Sequence, residues 1–234
     1  MPATSASLLP GNETERLQSL RAYNVLPALT EPLFDEFVAL TAQVFSLPIS
    51  LISVVEEADV YYPTNHGMPG HTQQPRAEAL CSTAIQQAHA VVYHDLVLES
   101  AAIAPEAARV AHDNGLRFYA GALLRLPDQC LFGTLCIIDR QPRTFSAEEQ
   151  QVLDHLAAVV SQALAVRHAC LAQPPVGAAR WERLCTQLQE ELRELTALVR
   201  YLFTRHGVQI PVPADLLAQV ERRLFDLQRL LIEQ

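Results

Sequence analysis

The chain contains no lysine; all 17 of its strongly basic residues are arginine. That absence removes together the phosphate-gripping lysine of a P-loop, the Schiff-base lysine and the strand lysine of protein kinases. Positive charge is scarce overall. The formal net charge is −9, whereas a phosphate-backbone partner requires a basic patch, so no nucleic-acid partner is expected. Long apolar runs are missing too. No segment reaches the roughly 20 apolar residues that span a bilayer, and residues 1–12 lack the basic start and apolar middle of a signal peptide. The five cysteines form an odd set without a CxxC pair, which leaves no disulfide framework and no zinc ribbon. A cytoplasmic protein with reduced thiols and no membrane partner is expected, and the Asn12-Glu13-Thr14 sequon is read as incidental.

What is present is a half-hydrophobic chain of 234 residues, enough for one ordinary domain with an appendage. Its most informative stretch is 117–146, which reads as two strands and a helix start. By the period-2 rule Phe118, Ala120, Ala122, Leu124 and Leu126 share one face, opposite Arg117, Tyr119, Gly121, Leu123 and Arg125. Pro127-Asp128 supplies turn chemistry. The second strand, 131–138, is apolar on both faces, as a central strand covered on two sides must be.

Elsewhere the pattern predicts a helix near Asn12 carrying Leu17, Leu20 and Tyr23, and another from Thr30 that presents Phe34, Phe37, Val38, Thr41 and Phe45. A strand over 49–55 turns at 56–59 into Val60-Tyr61-Tyr62. Residues 63–75, with three prolines, two glycines and two histidines, read as a long loop. A helix over 79–87, a strand over 90–95 and a helix over 105–114 ended by Gly115 follow. Ser146 and Glu149 form a capping box, and the helix they open shows Val152, Leu153, Leu156, Val159, Val160, Ala163 and Leu164 on one face.

Several of these segments carry a family resemblance. FYAGALLRLPD (118–128), FGTLCIID (132–139) and the Ser-Ala-Glu-Glu helix start resemble the closing half of a GAF domain, the small-molecule sensor module of signalling proteins. Glu15-Arg16-Leu17, Leu20 and Tyr23-Asn24-Val25-Leu26 resemble the leading helix of bacterial GAF proteins. Residues 48–53 resemble their first strand and 80–85 their mid-domain helix. The resemblance covers about residues 13–170 and implies an α+β, PAS-like GAF fold: a central antiparallel sheet of five to six strands flanked by helices. It places a ligand between the sheet and the inner helices, with 63–75 as a lid, and leaves the ligand's identity open, since one fold hosts unrelated functions.

The organisation expected is a tail over 1–12, a GAF domain over 13–171, a Pro-Pro linker over 172–178 and a helical hairpin or coiled coil over 179–234. In the last part Leu184, Leu188, Leu192, Leu195, Val199 and Leu202 make a heptad stripe with one stutter. Leu217, Val220, Leu224, Leu227 and Leu231 make a second. The stripes must be covered by each other, by the parent domain or by a second chain; a four-helix bundle in a homodimer is the favoured expectation.

The ligand-lining candidates are Ser53, Tyr62, Cys81, Tyr93, Phe118, Tyr119, Thr134 and Cys136, a set of aromatics with a few polar groups. Core filling is the alternative for the aromatics. Cys81 and Cys136 are read as small buried hydrophobes, with a thiol redox pair, like that of GAF-type free methionine sulfoxide reductases, as the alternative. Cys130, in the turn, is the more exposed. His66, His71, His89, His94 and His112 show no metal-ligand spacing, so metal and haem are not expected. The cysteine-histidine pair of bilin-binding relatives and the asparagine-lysine-phenylalanine motif of cyclic-nucleotide-binding ones are both lacking. Asp139 is assigned to a turn, Arg117 and Arg125 to a solvated face rather than an anion site. No catalytic residue and no output module is recognised. The sequence therefore points to a non-enzymatic GAF sensor that binds an unidentified small molecule, uses its C-terminal helices for dimerisation or partner docking, and has a separate output protein among its expected partners; a GAF-type thiol reductase and a ligand-free interaction platform are the alternatives.

Overall fold

A computed structural model describes residues 12–233; the tail expected over 1–12 lies, but for Asn12, outside them. Helices α1 (Glu13–Ala22), α2 (Val25–Ala28) and α3 (Pro32–Phe45) lead into strands β1 (Ile49–Val55), β2 (Asp59–His66) and β3 (Gln73–Pro75). Then come α4 (Leu80–Gln87), β4 (Val91–Tyr93), α5 (Pro105–Asp113), β5 (Phe118–Arg125) and β6 (Leu131–Asp139). Three long helices end the chain, α6 (Ala147–Leu171), α7 (Val176–His206) and α8 (Ala214–Ile232). The six strands form one antiparallel sheet in the order β3-β2-β1-β6-β5-β4. It is the α+β architecture expected from the sequence.

Strand alternation gives the sheet two different faces. Outward go Ile52, Val54, Phe118, Ala120, Ala122, Leu124, Leu135 and Ile137, which join α3 and α6 in the larger core. Inward go Leu51, Val55, Tyr119, Cys136 and Ile138, covered by α4 and α5 in a separate, smaller core. At Gly133 any side chain is impossible, because a Cβ would fall 1.6 Å from the Ser53 carbonyl oxygen on β1.

Residues 63–75 are not one long loop. β2 runs through Pro63 to His66 and β3 pairs with its start, leaving 67–72 as loop. The register slips from Ile52↔Thr64 to Val54↔Tyr61, so β2 carries one extra residue there. A bulge of this kind accommodates Pro63, which has no N–H to give the ladder.

The linker is shorter than expected as well. α7 begins at Val176, and Gly177 lets its first turn press against α6, since a Cβ would sit 1.8 Å from the Cys170 carbonyl oxygen. α7 then packs on α3 and α6, and α8 on α6 and α7. Leu184, Leu188, Leu192, Leu195, Val199, Leu217, Val220, Leu224, Leu227 and Leu231 are all buried within one chain, while Leu202 is partly covered. The seam expected between two chains is thus filled inside one. Four helices of the same chain, α3, α6, α7 and α8, cover both stripes.

One polar cluster ties these layers together. Glu149 is fully buried, and its carboxylate accepts from Arg143 Nη2 at 2.7 Å, the Ser146 amide at 2.8 Å and the Val212 amide at 3.1 Å. Arg143 donates in turn to the Phe45 carbonyl at 2.6 Å. The capping box expected at Ser146 is present, with Ser146 Oγ accepting from the Glu149 amide.

Two outcomes follow from this packing. Glu149→Ala leaves Arg143 buried without its carboxylate and destabilises the chain by about 3–5 kcal/mol, against about 1 kcal/mol for Ser146→Ala. Equal losses in urea denaturation would assign the strength to the cap instead. Leu224→Ala costs about 2–5 kcal/mol, and the thermal midpoints of parent and variant are independent of protein concentration. A midpoint that climbs with concentration would mean the stripes act between chains.

Candidate functional site

The inner face of the sheet carries an unusual share of polar atoms. Ser53 and Thr134 are opposite one another in the β1–β6 register. Their hydroxyls lie 2.9 Å apart, and Ser53 Oγ also accepts from the Thr134 amide at 3.0 Å. Two residues along β6, Cys136 shares that face and donates to the Leu51 carbonyl at 3.6 Å. On β5, Tyr119 reaches Thr134 Oγ1 at 3.5 Å. Gly121 makes room for it: a Cβ there would meet the Tyr119 hydroxyl at 2.5 Å. Cys81, in the first turn of α4, is buried in the same inner core as Cys136 and Tyr119. All of these side chains are buried.

Beside this cluster lies a cavity of about 40 Å³ between sheet, α4 and α5, room for little more than a water or two. Tyr62, Cys81 and Tyr119 reach it from the expected set. Sequence reasoning missed His71, Met68, Gln74, Glu78 and the α5 face of Ala107, Val110 and Ala111. The i, i+3, i+4 spacing of those three α5 residues was the available signal. The loop 67–72 closes one side. His71 stacks on Tyr62 with ring centroids 4.8 Å apart. Asn65 holds the loop by accepting from the Met68 amide and donating to the Met68 and His71 carbonyls.

The other candidates fall elsewhere. Ser53, Thr134 and Cys136 lie beneath the cavity rather than on its wall, and Tyr93 packs 6.3 Å from the Tyr119 ring in the inner core. Phe118 is misplaced in the expected set. It points to the outer face and packs against Phe145, at 5.7 Å between centroids. Strand alternation puts adjacent Phe118 and Tyr119 on opposite faces, so both could not line one pocket. A larger groove of about 540 Å³ runs between the turn after α4, the end of β5 and α6, walled partly by Arg125, Asp154 and Ser161. None of the eight expected ligand residues reaches it.

The electrostatics separate binding groups from reactive ones. Burial pushes the Tyr62 and Tyr119 hydroxyls well above their ordinary values, and the nearby thiols add to it. Both therefore stay protonated hydrogen-bond donors. Burial lowers His71 and keeps its ring neutral, against a smaller opposing hydrogen bond with Gln74. Cys81 is drawn down, first by the hydrogen bond from Cys136 and against the pull of burial, with the three hydroxyls assisting. Cys136 is pushed well up by the same hydrogen bond and by burial. The two thiols are thus shifted in opposite directions, Cys81 down and Cys136 up. Arg117 does not form an anion site, because it is committed to Asp95 through two bonds of 2.9 and 2.6 Å. Asp139 accepts from the Arg140 amide and so organises the turn, as expected. Among the described residues no three His, Cys, Asp or Glu side chains converge as metal ligands.

The tight fit of Tyr119 over Gly121 is testable. Gly121→Ala forces the ring aside and costs about 1–3 kcal/mol. In a Tyr119→Leu background the same substitution costs distinctly less, a coupling read from a double-mutant cycle in urea. Additive losses would show that the ring does not depend on the glycine.

Comparison with known proteins agrees with this architecture. A cyclic di-GMP phosphodiesterase of Pseudomonas aeruginosa is 28% identical over 210 residues, covering 89% of this chain and 33% of that protein. The chain thus spans about a third of the length of that relative. The free methionine-R-sulfoxide reductase of Neisseria meningitidis superposes with a TM-score of 0.50 at 16% identity, over 65% of this chain and 88% of that one. The GAF domain of an Acinetobacter phosphoenolpyruvate-protein phosphotransferase gives 0.48 at 20% identity, over 68% and 97%. At such identities the likeness concerns the fold. The GAF domain model matches residues 30–164, more than half of the chain, from the start of α3 through the buried face of α6. With the sheet, the inner helices and the covered cavity all inside that span, the chain belongs to the GAF domain family.

Proposed function

We propose that the chain is a non-catalytic, cytoplasmic GAF sensor that takes a small molecule into the inner cavity and passes its occupancy to a separate output protein. The observation that carries this reading is the cavity itself. It is walled by Tyr62, His71, Met68 and Tyr119, joins apolar surface to a few fixed polar atoms, and is roofed by a short loop rather than by packed core. Such composition suits a binding site. The cavity is small as it stands, so a ligand larger than a few atoms has to displace the 67–72 loop and break the Tyr62–His71 stack. The likeness to one third of a cyclic di-GMP phosphodiesterase supports an input role in second-messenger signalling, with the chemistry performed elsewhere. No helix among the described residues is long and apolar enough to cross a membrane.

The adjacent thiols favour a second reading, a thiol-dependent reductase of free methionine sulfoxide. The two separate in a turnover assay with that substrate and a dithiol donor: activity abolished by Cys81→Ser would replace the sensor reading with the enzymatic one.

Native mass spectrometry of gently purified protein tests the ligand. The expected result is a chain carrying an added small-molecule mass, lost in Val110→Phe, whose ring projects into the cavity from α5. A chain without added mass under conditions that keep it folded would leave a ligand-free interaction platform as the function.

A further inference from the structure

We propose that the inner cavity takes a small organic cation, an ammonium group on a short apolar chain, with the Glu78 carboxylate as its counter-ion. The assignment rests on that cavity being a ligand site, and it names the chemistry of the guest. The described residues that line it include one carboxylate, Glu78, and no arginine. Burial keeps His71 neutral, so no positive charge is built into the wall. A phosphate or carboxylate guest would meet a like charge there and no cation to offset it.

Glu78 is not committed elsewhere. It comes from the turn at 76–78 between β3 and α4, with 32% of its side chain exposed. Arg109 on α5 approaches its carboxylate only to 3.7 Å, and gives its hydrogen bond at 3.2 Å to Asp113 instead. An ion pair of that length, with Arg109 61% exposed, contributes little. The carboxylate therefore keeps lone pairs for a guest that brings N–H donors.

Its neighbours on the wall are oriented as acceptors too. Gln74 Nε2 donates to the Glu78 carbonyl at 3.1 Å, and Asn114 Nδ2 to the Val110 carbonyl at 2.8 Å. A carbonyl only accepts, so these bonds fix both amides with nitrogen on the backbone and oxygen as the remaining pole. Gln74 Oε1, Asn114 Oδ1 and the Glu78 carboxylate make an acceptor set that an ammonium, with three donors, answers. The rest of the wall is apolar: Leu51 and Ile138 on the sheet, and Val110 on α5, suit a short hydrocarbon chain. A guest that lifts His71 from Tyr62 also uncovers a ring face, which attracts a cation and not an anion.

Three probes of matched skeleton separate charge from size: n-propylammonium, 1-propanol and propionate. Each is titrated into the full chain at constant ionic strength, and its dissociation constant is read by ligand-observed saturation-transfer NMR. The expected result is n-propylammonium bound about tenfold or more tighter than 1-propanol, with no binding of propionate. Glu78→Gln brings the amine down to the level of the alcohol, Val110→Phe removes binding, and Arg109→Ala leaves the amine as tight or tighter. Equal losses in Glu78→Gln and Arg109→Ala would overturn the proposal, because the carboxylate would then act through its ion pair and not on the guest. Propionate or 1-propanol bound as tightly as the amine, and lost in Val110→Phe, would overturn the cation while leaving the cavity a ligand site. Amine binding that survives Val110→Phe would place the site elsewhere, and no binding of any probe would strike the cavity itself.

Discussion

The molecule turns on one carboxylate. Glu149 sits where four parts of the chain meet: the end of α3, the exit from β6, the start of α6 and the connection between α7 and α8. It accepts from Arg143, from the Ser146 amide and from the Val212 amide, while Arg143 reaches back to the Phe45 carbonyl. Two charges withdrawn from water cost several kcal/mol each, and the pair survives only when its remaining hydrogen-bonding capacity is used. Here most of it is used to fix geometry, although Arg143 Nε is buried without a hydrogen-bond partner among the described residues. The same carboxylate that caps α6 sets how far the hairpin connection stands from the sheet. Hydrophobic burial along the leucine stripes supplies the bulk of the driving force, but burial is non-directional. The ion pair selects one placement of α8 among those the stripes would allow.

The division of the sheet into two cores is the second constraint. Its outer face is sealed by long helices and filled with Leu, Ile, Val and Phe. Its inner face holds Ser53, Thr134, Cys136 and Tyr119 in one patch. Buried polar groups of this kind are costly unless each finds a partner. Here they find one another and the strand backbone: hydroxyl to hydroxyl, the Thr134 amide to Ser53 Oγ, and Cys136 to the Leu51 carbonyl. A patch that is satisfied without water or ligand can remain dry beneath a nearly closed cavity. It can also receive a small polar guest by exchanging internal bonds for new ones. The chemical character of the site follows from this self-sufficiency.

How much of this could be read from the sequence depended on whether the signal was local. The two faces of β5 followed from periodicity, β1 over Ile49–Val55 from a short run bounded by Pro48 and the 56–59 turn, and the Ser146–Glu149 cap from a four-residue motif. Pro63 misled because a proline inside a strand is normally a stop, and the bulge that tolerates it exists only once β1 is in place. The leucine stripes announced that they must be covered but not by what; α3 offered a surface more than 130 residues away in the chain. The placement of Phe118 was legible, since alternation along β5 assigns it to the face away from Tyr119. Arg143 carried no signal at all. A lone arginine after a strand looks solvated, and its burial depends on Phe45 and Glu149 arriving from different elements.

A sensor of the proposed kind needs a path by which the cavity can bias the outer helices, and β6 is the element placed to provide it. Thr134 and Cys136 lie under the site at its centre, and the strand ends at Asp139, a few residues before Arg143. A shift of β6 along its own axis would act on Arg143, and through it on Glu149 and the Val212 amide. Because the ion pair is fully buried, intermediate separations are penalised more steeply than they would be at the surface. The contact therefore tends to be either made or broken, as a switch requires. The magnitudes set a limit: moving such an equilibrium from 1:99 to 99:1 needs roughly 5.5 kcal/mol of differential binding. A guest that merely fits the present cavity contributes equally to both states and shifts nothing. Only one that rearranges the thiol and hydroxyl patch, or prises the 67–72 loop from Tyr62, distinguishes the states.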